Sequence, residues 1–188
     1  MLARAINLIV IVLEIRSIPL SSDVTKLRSL VFYTRLSNIV TLVSSLLLVI
    51  FGQPEAVTIA RYLSTCMMVM TFFVTTCVLV PMGAPAKKLL WSGSGLYHHI
   101  LCPMISTASY ILFEKHAGYG LIWLPAVITL VYGLVMLFLN AKEIVDGPYP
   151  FFRVRNQSVK ATVLWMIVLF AAVTAISAAV WFVSTFSE

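Results

Sequence analysis

The stretch VFYTRLSNIVTLVSSLLLVIF, residues 31–51, decides the fold class. It is long enough to cross roughly 30 Å of hydrocarbon at a helical rise of 1.5 Å per residue. Thr34, Asn38, Thr41 and Ser45 recur within it at steps of four, three and four, which places them on one face of a helix. Hydrocarbon offers hydroxyls and amides no partners, so this stripe is expected to face protein, water or a ligand. Thr34 stands near the mouth of the helix, where a hydroxyl meets both water and lipid.

The rest of the chain repeats the apolar theme. Of 188 residues, 61% are hydrophobic and 11% charged, against roughly 25% charged in soluble domains. Spans are expected at 2–18, 30–51, 57–80, 95–113, 119–140 and 159–186, joined by short loops. The expectation is an all-α, integral membrane bundle of six transmembrane helices in a single domain, 1–188. The first apolar run could pass for a signal peptide. Glu14 and Arg16 follow it without a small-x-small cleavage site, so it is read as a retained helix.

The formal charge of +6 is no nucleic-acid signature, because no basic patch with interleaved aromatics lies outside the helices. It reports topology instead. Arg16, Lys26, Arg28, Lys87, Lys88, Lys142, Arg153, Arg155 and Lys160 fall on the first, third and fifth loops and their flanks. Arg4, Arg61 and Lys115 fall on the other side. The positive-inside rule puts the three basic loops in the cytoplasm and both termini opposite. Cys66, Cys77 and Cys102 all lie inside expected spans, which speaks against a disulfide framework.

Polar side chains collect at the basic end. Thr34, Arg35 and Asn38 mark the mouth of the second helix, and Tyr97, His98 and His99 that of the fourth. Glu14 and Arg16 close the first helix; Asn140, Lys142, Glu143 and Asp146 follow the fifth. The other end has only Glu55, Arg61, Glu114, Lys115, His116 and Glu188. His98, Cys102, Ser106 and Ser109 form a second stripe at steps of four, four and three. Two stripes starting at one interface imply a cavity between them, polar at its mouth and apolar below, suited to an amphiphile with an acyl tail. Ionisable residues in spans are costly and mark functional candidates.

The chemistry of this set is nucleophile plus base. A threonine hydroxyl needs an adjacent base, histidine is the natural one, and a third group often orients the imidazole. Glu14, Glu143 and Asp146 are candidates for that third role. His98 and His99 point about 100° apart on an α-helix, so both are not expected to serve one reacting atom. The plainer reading of the stripes is helix–helix hydrogen bonding, at about 0.6 kcal/mol per contact. No metal is expected, since no Cys-x-x-Cys or His-x-x-x-His spacing is present, and no cofactor. Gly93 and Gly95 lack the Lys of a phosphate loop. The run 146–152, DGPYPFF, is an interfacial aromatic anchor or a lid over the cavity mouth.

Three segments carry a family resemblance. Phe32-Tyr33-Thr34-Arg35-Leu36-Ser37-Asn38 resembles the Phe-x-Thr segment that opens an early helix of the androgen-induced protein family. That family includes the androgen-dependent TFPI-regulating protein and bacterial six-helix relatives. Tyr97-His98-His99-Ile100-Leu101-Cys102-Pro103 resembles its second motif, a histidine five residues before a proline. Gly147-Pro148-Tyr149-Pro150-Phe151 resembles its third, a Tyr-Pro-Phe after the fifth helix. Animal members are threonine hydrolases acting on fatty acid esters of hydroxy fatty acids. The resemblance implies that Thr34 is the nucleophile and His98 the essential histidine. Arg35 and Asn38 make the stretch after Thr34 more polar than the resemblance leads one to expect.

The resulting expectation is an intramembrane lipid-ester hydrolase. Asn38 or Tyr97 would donate to the oxyanion, and Arg35 or Arg16 would hold a substrate carboxylate. Its partners would be a fatty-acyl ester and the bilayer, with no nucleic acid. The competing reading is a non-catalytic lipid-binding or transport protein, in which polar stripes line a path. The second-helix stripe stops near Ser45, which favours a pocket closed at one end. A purely structural partner subunit would not explain the one-sided polarity.

Overall fold

The computed structural model describes residues 1–20 and 27–186. Lys26 and Glu188 lie outside those residues, as does the side chain of Arg28. The described chain is all helix and turn. Six long helices form the body. These are α1 (Leu2–Ser17), α2 (Tyr33–Phe51) and α3 (Glu55–Phe73, continued by the π-helical Val74–Leu79). After them come α4 (Gly93–Leu96, the π-helical Tyr97–Leu101, then Cys102–Phe113), α5 (Leu124–Ala141) and α6 (Val159–Ser184). A short helix, Ala86–Leu90, precedes α4.

The element boundaries follow from local chemistry. Gly52 closes α2 with φ of +78°, a conformation costly for residues with a Cβ, and Pro54 precedes α3. Pro103 lies inside the α4 rod. It cannot donate to the His99 carbonyl four residues back, and its ring crowds that carbonyl. The helix widens to the i→i+5 pattern over Tyr97–Leu101 immediately before it.

Four helical stretches are long and apolar enough to cross a membrane: Tyr33–Phe51, Glu55–Leu79, Tyr119–Ala141 and Val159–Ser184. The expected spans 2–18 and 95–113 are not among them. Helix α1 has 16 residues, and α4 mixes histidines, serines and a proline into its apolar run. The all-α architecture of a multi-pass membrane protein stands.

Helices α1, α2, α3 and α4 close into a ring, each against its neighbours, while α5 and α6 pair with each other and lean on α3. Helix α3 is therefore central, with 61% of its apolar window buried against 22–33% for the other three candidate spans. The ring is held from inside by charge. Arg61, expected as a flank charge on the far side, is fully buried within α3. Its Nε and Nη2 donate to the Glu114 Oε2 and Oε1 at 2.8 and 3.0 Å, and both side chains are 1% exposed. The remaining Arg61 protons reach Ser45 Oγ at 3.1 Å, Ser64 Oγ at 3.4 Å and Ser106 Oγ at 3.1 Å. Asn7 Nδ2 from α1 and Ser109 Oγ from α4 both donate to Glu114 Oε1, at 2.8 and 2.7 Å. The deep ends of both polar stripes, Ser45 on α2 and Ser106 and Ser109 on α4, are thus bonded to this network.

Removing one member leaves an unpaired buried charge, which costs about 3–5 kcal/mol. Arg61→Ala and Glu114→Ala should each destabilise the folded protein by that amount in detergent unfolding. The double variant should lose clearly less than the sum; additive losses would show that the two groups do not act as a pair.

Candidate active site

The basic end of the bundle holds an open vestibule of about 630 Å³. Thr34, Arg35, His98, His99 and Tyr149 contribute its chemistry. Thr34 is the second residue of α2. The first four N–H groups of a helix have no partner within it, and no side chain caps this one. The Thr34 N–H and Oγ1 each stand 3.4 Å from the Tyr149 hydroxyl.

The imidazole beside Thr34 belongs to His99. Its Nε2 lies 3.4 Å from Thr34 Oγ1, longer than a formed hydrogen bond but in the range of unliganded catalytic pairs. Its Nδ1 lies 2.8 Å from the carbonyl oxygen of Leu89. A carbonyl only accepts, so Nδ1 carries the proton and Nε2 presents its lone pair to the threonine. Leu89 sits in the last turn of the helix Ala86–Leu90, where carbonyls have no intrahelical partner. The group that orients this imidazole is thus a main-chain carbonyl.

His98, assigned as the base from the sequence, is engaged elsewhere. Its Nε2 lies 2.7 Å from Ser17 Oγ, and that hydroxyl is 2.6 Å from the Glu14 carbonyl. The Ser17 proton goes to the carbonyl, so His98 Nε2 is the donor to Ser17. His98 thereby ties α4 to α1 while one side of it lines the vestibule.

The carboxylates expected to orient a histidine are placed otherwise. Glu143 and Asp146 are exposed and lie 2.8 and 3.7 Å from Arg155. Glu14 is 4% exposed in α1 and lies against the Cys102 thiol. Of the residues expected to bind substrate or the oxyanion, Arg35 lines the vestibule. Arg16 is exposed and Tyr97 half-buried, and neither lines it. Asn38 donates from Nδ2 to the Thr34 carbonyl at 2.6 Å, bracing the first turn of α2 rather than facing the cavity. Asn38, Thr41 and Ser45, expected as cavity wall, line neither the vestibule nor the apolar slot below it.

Tyr149 is the residue that sequence reasoning passed over, although it sits in the Tyr-Pro-Phe motif. The 147–152 turn tucks inward, with Tyr149, Phe151 and Phe152 at 8%, 3% and 3% exposure. Tyr149 stacks on Phe151 with centroids 5.2 Å apart. Gly147 permits the fold, since a Cβ there would meet the Phe152 carbonyl at 2.8 Å. Burial pushes the Tyr149 phenol above its ordinary pKa, so it keeps its proton and can donate.

Among the described residues, no group of three or more His, Cys, Asp and Glu could hold a metal ion. The chain matches no protein-family model, no curated protein and no solved structure.

Gly95 keeps the His99 ring in place. A Cβ there would stand 2.5 Å from both the Lys88 and the Leu89 carbonyl oxygens, so Gly95→Ala must push the Ala86–Leu90 helix away. Nitrogen-15 NMR of histidine-labelled protein should report His99 as the Nδ1–H tautomer in the wild type and as a mixture in Gly95→Ala. His98 should stay Nε2–H in both. An unchanged His99 signal would mean that the Leu89 carbonyl does not hold the ring.

Proposed function

We propose that this protein hydrolyses a lipid ester at the membrane interface, with Thr34 as nucleophile and His99 as base. The observation that carries this reading is the chain Thr34 Oγ1, His99 Nε2, His99 Nδ1–H, Leu89 carbonyl. It places a hydroxyl beside an imidazole whose free lone pair is fixed toward it. By resemblance, the substrate is a fatty acid ester of a hydroxy fatty acid.

As Oγ1 attacks the ester carbonyl carbon, His99 Nε2 takes the threonine proton. The carbonyl oxygen becomes an oxyanion that receives hydrogen bonds from the Tyr149 hydroxyl and the Thr34 N–H. The positive end of the α2 dipole adds to this stabilisation. The intermediate collapses, the C–O bond to the alcohol breaks, and His99 returns the proton to the leaving oxygen. Water, deprotonated by the same nitrogen, then cleaves the acyl-threonine to free acid and Thr34. Arg35 is the vestibule's cation for an anionic group on the substrate.

In this reading α1 and α4 also cross the bilayer, giving six spans with the three basic loops in the cytoplasm. Burial of Arg61 inside α3 removes it from the loop charges of the opposite side and widens the asymmetry that the positive-inside rule uses. The Arg61–Glu114 network fills the far half of the ring, which favours a pocket closed at one end over a transport path.

A fluorophosphonate probe should label the wild type at Thr34 and fail to label Thr34→Ala. His99→Ala should lower labelling and lipid-ester turnover by at least about 100-fold, and Tyr149→Phe should lower turnover by roughly 100-fold. His98→Ala should retain more activity than His99→Ala. Labelling that survives in Thr34→Ala would overturn the nucleophile, and the reverse order of the two histidine variants would overturn the base.

A further inference from the structure

A narrow slot continues downward from the vestibule between α2, α3, α5 and α6. Thr34, Leu79 and Tyr149 line both spaces, so the reacting hydroxyl stands at their junction. On α3 the slot follows Thr71, Thr75 and Leu79, one helical face, over roughly 12 Å at 1.5 Å per residue. Apart from Thr75, its deeper hydroxyls are committed. Thr71 pairs with Ser37 at 2.9 Å, Thr129 with Tyr33 at 2.8 Å, and Tyr132 donates to the Val31 carbonyl at 2.6 Å. The other lining groups are apolar, among them Met70, Val74, Leu130, Leu169 and Phe170.

The slot is nearly closed. Its free volume is about 40 Å³, little more than the roughly 30 Å³ share of one water molecule. One side chain can yield. Gly133 of α5 has no Cβ, and Met166 of α6 lies across that gap. A Cβ at Gly133 would meet Met166 Cε at 2.9 Å and Sδ at 3.4 Å. Methionine is unbranched and adaptable, so it can swing aside where the packed Leu169 or Phe170 would resist.

We infer that this slot receives the single acyl chain of the ester, and that Met166, resting on Gly133 above the deeper lining groups Leu130, Leu169 and Phe170, is the constriction that the chain must pass. The inference rests on the hydrolase reading for its position beside Thr34. A straight, narrow, apolar space with committed hydroxyls accepts a hydrocarbon chain and rejects a headgroup, which stays in the vestibule. The ester carbonyl is then held at Thr34 by a chain below and a polar group above.

The test uses the full chain in lipid nanodiscs with p-nitrophenyl esters from butyrate to palmitate. Met166→Ala should move the optimum to longer chains. Gly133→Ala and Met166→Phe should move it to shorter ones, with about tenfold or greater loss per blocked methylene. A uniform change across the series would overturn the constriction. If the wild type cleaves no ester, the hydrolase reading fails, and the slot is judged by photolabelling with a diazirine fatty acid. Adducts at Gly133, Met166 and Leu169 would uphold an acyl site; adducts confined to the outward-facing Val163 and Ile167 would overturn it.

Discussion

Arg61 has no water to turn to. Its guanidinium sits at the centre of a ring of four helices, and α1, α2, α3 and α4 each contribute groups to the network around it and Glu114. In a low-dielectric interior a lone cation or carboxylate is prohibitive, and each is tolerable only while the other and its hydroxyl neighbours are in place. That condition fixes the register of the four helices against one another. Sliding any of them by a turn would leave a charge or a hydroxyl unpartnered. The small serines at 44, 45, 64, 106 and 109 serve twice, by letting the backbones come close and by supplying the oxygens.

The site stands at the opposite end of the same bundle. The ring sets the level of Thr34 on α2 and of the two histidines on α4. Asn38, one turn down, fastens the Thr34 carbonyl, and the His98–Ser17 contact ties α4 to α1. The aromatic turn at 147–152 packs against α5 and α6 and brings Tyr149 over the start of α2. The proposed chemistry therefore uses one group from each half: a hydroxyl and an imidazole from the ring, and a phenol from the loop that follows the α5–α6 side.

Much of this was legible beforehand, and what was not has definite causes. Hydropathy and length gave the helices, the step pattern in residues 31–51 gave the polar face that bears Thr34, and the resemblance singled out Thr34 on it. In α4 the resemblance pointed to His98 and the stripe agreed, because counting back from Cys102 assumes 100° per residue. The π turn before Pro103 adds a residue to that turn, so faces counted below it do not carry across. Arg61 read as a flank charge because nothing in its neighbourhood announces Glu114, which lies far along the chain. Glu143 and Asp146 read as candidates to orient the histidine, yet they lie exposed beside Arg155.

By itself the sequence determined an all-helical membrane protein and the polar face of the second helix, with a hydroxyl at its mouth. Those properties depend on composition and on spacing within single helices, where neighbours in sequence are neighbours in space. Which imidazole meets Thr34, what orients it, which phenol stands over it and where the apolar slot runs were decided only by the tertiary structure. Each depends on groups from separate helices meeting across the bundle, and on main-chain atoms such as the Leu89 carbonyl, which no side-chain motif encodes.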